Sequence, residues 1–266
     1  MKETAYEDDS LVQEPGTLEV SHVSFAYPGG EKIYEDFNLS ATPGQIIGVT
    51  GAVACGKSTL GKTFLCEYPY EGRICFNGKE LSGMTKAEQN GMVGYLGHDP
   101  ELFNDSVRNN ILLGDDDDPE KYLKAVCFDD EVAEMEEGMD TIVGNGGVRL
   151  SGGQAQRLAL ARTLCHKRPV LILDDPFSAL DRKTEKEVFA NLRKLAADSI
   201  VILLSHRLYL FPKMDQVLWM EDGKVTAGTH EQILEKFPEY ARLYEAQADG
   251  ADAHSTQEGG PDHAEK

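Results

Sequence analysis

Gly51-Ala52-Val53-Ala54-Cys55-Gly56-Lys57-Ser58-Thr59 constrains the fold of this chain more than any other stretch. It fits the pattern Gly-x4-Gly-Lys-Ser/Thr, and its setting is the one that pattern requires. The run before it, Gln45 to Thr50, is apolar and β-branched like a buried parallel strand, and the run from Leu60 to Cys66 reads as a helix. Strand, glycine-rich loop and helix in that order form a phosphate cradle. Successive backbone N–H groups surround a β-phosphate, the following helix adds positive potential, and Lys57 supplies a mobile charge to the β- and γ-phosphates. Ser58 is placed to ligate Mg²⁺. The substrate implied is a nucleoside triphosphate, and the fold implied is a P-loop NTPase.

A second carboxylate-bearing strand supports this. Val170-Leu171-Ile172-Leu173-Asp174 is apolar until its last residue, so Asp174 falls at the C-terminal end of a buried strand, where open parallel sheets place their ligands. Asp174 is the expected holder of Mg²⁺; a helix-capping role after the turn at Pro176 is the alternative. Strands around residues 92–96, 170–174 and 200–204 alternate with helical segments around 151–167 and 181–197, which predicts a parallel core sheet covered on both faces. Upstream, residues 18–27 suggest a strand with an irregularity near His22, followed by a short strand at 37–41 and another at 72–78 closed by Asn77-Gly78. From 106 to about 140 the spacing turns helical, which predicts an α-helical subdomain, about 98–165, inserted into the sheet. Asp222-Gly223 predicts a hairpin, and Thr229 with Gln232 a capping box opening one last helix with Ile233, Phe237, Tyr240 and Tyr244 on its core face.

Composition removes several alternatives. The chain has 266 residues, 46 acidic against 26 basic, for a net charge of −20, which argues against nucleic acid as a partner. No apolar run approaches the ~18 residues that cross a bilayer, and the acidic start, Met1 to Gln13, does not read as a signal peptide. Five cysteines without a Cys-x-x-Cys pair suit free thiols in a reducing compartment. Residues 1–16 read as a disordered leader, 17–245 as one nucleotide-binding domain, and 246–266 as a disordered acidic tail.

Leu150-Ser151-Gly152-Gly153-Gln154 is a second anion-binding pattern: a serine cap, two glycines permitting close approach, and a helix start behind them. With it, the phosphate loop, Asp174, Ser178-Ala179-Leu180-Asp181 and Ser205-His206-Arg207 occur in an order that resembles the nucleotide-binding domain of ABC transporters over residues 17–245. The resemblance implies an ABC ATPase fold, with an antiparallel β subdomain beside the parallel core sheet and the inserted α-helical subdomain, and with ATP as substrate and Mg²⁺ as cofactor. It also implies head-to-tail pairing, each ATP lying between one domain's phosphate loop and the signature helix of the other. Ser151, Gly152, Gly153 and Gln154 would then act in trans, Asp181 would communicate across the pair, Tyr27 would stack on adenine, and His206 would touch the γ-phosphate. Thr141 to Gly147, with Leu102 to Val107, resembles the exporter type. The partners implied are transmembrane domains and a second nucleotide-binding domain, with the chain at the cytoplasmic face of a membrane.

Three positions depart from the family pattern. Asp175 stands where a glutamate normally polarises the attacking water; the shorter side chain holds that water about 1.5 Å further away, enough to cost on the order of 10²-fold in rate. His98 replaces the usual Mg²⁺- and γ-phosphate-sensing glutamine; an imidazole can still accept a hydrogen bond but differs from an amide in reach and charge. Ala54 replaces a glycine and would be strained by about 1 kcal/mol if its φ were positive. Val53 with Cys55, and Asp174-Asp175-Pro176, resemble the first nucleotide domain of the multidrug-resistance-associated branch and the impaired half of heterodimeric exporters. The implied function is export powered by ATP with a slow site in this chain and a different chain as partner. A regulatory ATP-gated dimeriser and a soluble non-transport ABC ATPase are the alternatives. Cys55, beside Lys57, reads either as a reactive thiol or as a small buried filler.

Overall fold

The computed structural model describes residues 14–144 and 146–255, with backbone alone for 248–255. Most of the leader, Asn145 and the tail beyond 255 lie outside the described residues. The chain enters through β1 (Leu18–Ala26) and β2 (Lys32–Ala41), which pair antiparallel. Strand β3 (Ile46–Gly51) leads into α1 (Lys57–Thr63), so Lys57, Ser58 and Thr59 belong to the helix, which begins earlier than the apolar pattern suggested. Then come β4 (Glu71–Phe76), β5 (Lys79–Glu80), α2 (Lys86–Met92) and β6 (Val93–Leu96). The helical insert contains β7 (Asp105–Ser106), α3 (Val107–Leu112), α4 (Pro119–Ala125), α5 (Asp129–Ala133) and β8 (Ile142–Val143). The chain returns through α6 (Gly152–Cys165), β9 (Val170–Asp174), α7 (Arg182–Leu195), β10 (Ile200–Leu204), β11 (Gln216–Glu221), β12 (Lys224–Gly228), α8 (His230–Lys236) and α9 (Pro238–Ser255).

These strands build a ten-stranded sheet in the order β5-β4-β1-β2-β12-β11-β3-β10-β9-β6. Strands β11, β3, β10, β9 and β6 run parallel, and β1, β2, β4 and β5 are antiparallel. The parallel core, the antiparallel side and the helical insert are those that the sequence resemblance implied. Every residue of β3, β9 and β10 is buried, as two-sided cover demands. One core cluster joins Leu171, Leu173 and Leu203 to the helical insert and α6; the other joins Val49, Ile172 and Leu204 to α1 and the antiparallel strands. The short ladder of β7 with β8 ties the two ends of the insert together.

Local chemistry explains the details. The register slips between Val20 and Val23, and His22 has φ +53, so the irregularity expected there is a bulge. Asn77 and Gly78 both have positive φ, as do Asp222 and Gly223, the signature of tight hairpin turns. Helix α2 was not anticipated, although Thr85 and Glu88 form a complete capping box. The single last helix is in fact two. Pro238 forces Phe237 into an extended conformation, φ −119 and ψ 101, which ends α8; the same proline then starts α9. Helix α9 carries the chain to Ser255, into the segment read as acidic tail. Four alanines and Gln247 favour helix there, and Gln247 is anchored to the domain by its side chain. Among the described residues no helix is long and apolar enough to cross a membrane.

Candidate functional site

The loop after β3 is built on close approach. A Cβ at Gly51 would lie 2.3 Å from the Met220 carbonyl oxygen, and one at Gly56 2.4 Å from Ile33 Cγ2, so neither position accepts a side chain. Gly56 has φ +100. Ala54 has φ +63, so the strain conditional on that angle is present, about 1 kcal/mol. Ala52, Val53 and Ala54 are exposed, Val53 to 87%, whereas Lys57 is buried. Lys57 Nζ folds back and donates to the carbonyls of Gly51 at 3.2 Å and Ala52 at 3.0 Å, with Cys55 Sγ 3.8 Å away. Among the described residues no backbone carbonyl accepts from the N–H groups of Gly56, Lys57, Ser58 or Thr59, which leaves a row of open donors at the mouth of α1.

Because β3, β10 and β9 are parallel neighbours, their C-terminal ends meet beside this loop. Asp174 ends β9, 7% exposed; its Oδ2 accepts from Tyr95 Oη at 3.2 Å. Asp175 turns into the left-handed region, φ +49, and its N–H donates to the Leu204 carbonyl at 2.9 Å. Its Oδ1 is buried without a hydrogen-bond partner among the described residues. Burial pushes the Asp175 carboxyl above the usual carboxylate range, against the pull of His206, His98 and Arg207. The exposed His206, just past β10, is held below the ordinary imidazole value by desolvation first and the Lys57 charge second, with Asp175 and Asp174 opposing. Lys57, His98, Asp174, Asp175 and His206 thus share one electrostatic neighbourhood.

Tyr27 lies on the other side of the loop. Its hydroxyl sits 3.3 Å from Thr59 Oγ1, its ring is 38% exposed, and Phe25 and Tyr68 meet it edge-on at 5.1 and 5.3 Å. The tyrosine is braced while its ring stays accessible to a flat ligand.

Ser151 caps α6. Its Oγ accepts from the Gln154 N–H at 3.2 Å, and Gln154 Oε1 accepts from the Ser151 N–H at 2.9 Å. The Gln154 amide also donates to Glu131 Oε2 at 2.8 Å, and Glu131 pairs with Arg157 at 2.6 Å, which ties this helix start to α5. Gly152 faces open space, while a Cβ at Gly153 would lie 3.2 Å from the Ala179 carbonyl oxygen. Asp181 caps α7, accepting from the N–H groups of Lys183 and Thr184 at 2.9 and 3.1 Å. Its carboxyl is held low, chiefly by the Thr184 hydroxyl.

The donor set fits a magnesium nucleotide. Ser58 and Asp174 supply one hydroxyl and one carboxylate, and among the described residues no group of three or more His, Cys, Asp or Glu forms a metal cage. Mg²⁺ is commonly held this sparsely, with substrate phosphates and water completing its shell. The open N–H groups and the orphaned Asp175 oxygen are polar atoms whose hydrogen-bonding capacity phosphate oxygens and water can satisfy.

Sequence reasoning missed four side chains around this site. Tyr95 bonds Asp174. Glu185, fully buried, accepts from Arg207 Nη1 at 2.5 Å and from the Tyr209 hydroxyl. Gln247 bonds the backbone on both sides of Arg207. Tyr68 braces Tyr27. Only Glu185 left a trace, as an acid in the first turn of a helix capped by Asp181.

The sequence profile described as ABC transporter matches residues 34–178. The chain is 33% identical to the ATP-binding cassette sub-family B member 6 of Xenopus tropicalis over 92% of its length and 30% of that protein. It is 36% identical to the ATP-dependent lipid A-core flippase of Pseudomonas aeruginosa, over 92% of this chain and 42% of the flippase. Among solved structures, a bacterial Atm1-family ABC exporter with ATP bound superposes with a TM-score of 0.81 at 30% identity, covering 89% of this chain and 43% of that one. The chain spans less than half the length of these relatives.

Proposed function

From this chain's membership of the ABC transporter family, we propose that it binds and hydrolyses MgATP to power solute export through transmembrane partners at the cytoplasmic face of a membrane. The observation that carries the reading is the gathering of Lys57, Asp174, Asp175 and His206 at the ends of three adjacent parallel strands, beside a loop of open N–H donors. In this reading residues 51–59 cradle the phosphates, Tyr27 stacks on adenine, and Ser58 and Asp174 hold Mg²⁺ with His98 in the sensor position. The ion, when bound, neutralises phosphate charge. Lys57 and His206 stabilise charge on the terminal phosphate, and Asp175 orients the attacking water.

The pairing is head to tail with a second nucleotide-binding domain on a different chain. Ser151 to Gln154 complete the partner's site, and Asp181 faces the join. Asp175 makes this chain's own site the slow one, since its carboxylate is a methylene short of the position a glutamate reaches. Mixed dimers with vanadate trapping test this. Trapped nucleotide is expected at the partner's phosphate loop; trapping chiefly at residues 51–59 overturns the slow-site reading. Loss of MgATP binding in Lys57→Ala is expected, and its retention overturns the nucleotide site itself.

A second reading, an ATP-gated dimeriser with little turnover, is favoured by the same aspartate. Asp175→Glu separates the two. A gain of roughly 10²-fold or more from negligible wild-type turnover supports the dimeriser, and brisk wild-type turnover with no gain supports the motor.

A further inference from the structure

The loop that carries His206 is gripped from two directions. On one side, Arg207 donates to the carbonyls of Leu180 at 2.7 Å and Ser178 at 2.6 Å, and to the buried Glu185 carboxylate. The loop is thereby bound to the turn before α7. On the other side stands Gln247, on α9, far along the chain. Its Nε2 donates to the His206 carbonyl at 2.7 Å, and its Oε1 accepts from the Leu208 N–H at 2.8 Å. One side-chain amide therefore satisfies a backbone acceptor and a backbone donor flanking Arg207. Gln247 is itself held, because Arg182 Nη2 donates to its carbonyl at 2.7 Å while the Arg182 guanidinium lies 4.6 Å from the Tyr209 ring centre.

This geometry matters because the His206 side chain is exposed and has no protein hydrogen bond of its own among the described residues. Its placement therefore depends on how its backbone is held. We infer that Gln247 is a positioning residue whose amide clamp lets α9 set the orientation of His206 toward the terminal phosphate of bound nucleotide. The inference rests on the reading of His206 as a γ-phosphate-facing group. The clamp links a helix outside the parallel core to a residue that, with Lys57, faces the terminal phosphate in the proposed site.

Three forms of the full chain test it: wild type, Gln247→Ala and His206→Ala. The readouts are exchange of the Leu208 amide and the ratio of MgATP to MgADP affinity. In Gln247→Ala the Leu208 amide is expected to exchange about tenfold faster. The affinity ratio is expected to fall about three- to tenfold with MgADP binding unchanged. Gln247→Glu keeps the acceptor for Leu208 but sets a carboxylate against the His206 carbonyl, and should lower the ratio while keeping the amide protected. A wild-type ratio in both Gln247 variants overturns the inference, even if exchange rises, since the amide would then be only a tether for α9. His206→Ala separates the parent reading. If that variant also keeps the wild-type ratio, the assignment of His206 has failed; if it alone loses discrimination, only the role of Gln247 has.

Discussion

Tyr95 and Asp174 are joined by a hydrogen bond of 3.2 Å, the tyrosine hydroxyl at the end of β6 donating to the carboxylate at the end of β9. The bond fixes one oxygen of Asp174, and no described residue donates to the other. In the proposed site the free oxygen is the Mg²⁺ ligand. Groups that orient a metal-ligating carboxylate typically change metal affinity by 10- to 100-fold when removed. Tyr95→Phe is therefore expected to raise the Mg²⁺ concentration for half-maximal ATP binding by about tenfold, with ATP binding in the absence of Mg²⁺ unchanged. Titration of Mg²⁺ at fixed ATP checks this, and an unchanged midpoint counts against the role.

Asp175 gives a pH-dependent prediction. Burial raises its carboxyl in the folded state, so folding favours the protonated form. That contribution is complete below the unfolded value, about 3.9, and is lost as pH rises through the higher folded value. Asp175→Asn is neutral throughout. It should be more stable than wild type at pH 7, with the gap closing below about pH 4. Urea midpoints across that range decide it, and a variant less stable at pH 7 contradicts the account.

The thiols should differ in reactivity. Burial pushes Cys127 and Cys165 up to about 11 and raises Cys66, and Cys75 is buried. Cys55 is half-buried beside the Lys57 ammonium. Iodoacetamide at pH 7.5 is expected to label Cys55 first, with MgATP protecting it and labelling blocking ATP binding. Peptide mapping by mass spectrometry reads the order. Faster labelling at Cys66 or Cys127, or no protection by MgATP, would sink the reactive-thiol reading.

Arg207 compensates a buried charge. Glu185 is 0% exposed and Arg207 supplies its charged partner. Breaking such a pair from one side strands the other charge and typically costs 3–5 kcal/mol. Arg207→Met is expected to destabilise by about that much. The double variant Arg207→Met, Glu185→Leu should recover most of the loss, because well-packed apolar replacements of buried pairs are often neutral. Denaturant unfolding of both checks the sign of the coupling.

Much of this molecule could be read from local sequence because local physics governs it. The Gly51–Thr59 pattern, the apolar runs of β9 and β10, the Asn77-Gly78 turn and the Thr229–Gln232 capping box each express a preference of neighbouring residues, and the structure has each of them. The break at Pro238 was also present in the sequence as a restriction on Phe237, but the apolar spacing of Ile233, Phe237, Tyr240 and Tyr244 suggested continuity across it.

By itself the sequence determined most of the elements that form and the faces they bury, and it nominated the residues proposed for phosphate and metal chemistry. The tertiary structure decided which of them meet. Periodicity reports that a strand is buried but not by which neighbour, so the order β3-β10-β9 that gathers Lys57, Asp174, Asp175 and His206 had to come from packing. The bonds from Tyr95 to Asp174 and from Gln247 to the His206 loop had no local signal at all. Each is a polar side chain serving a partner on a distant element, and that pairing exists only once the sheet and α9 have closed the distance.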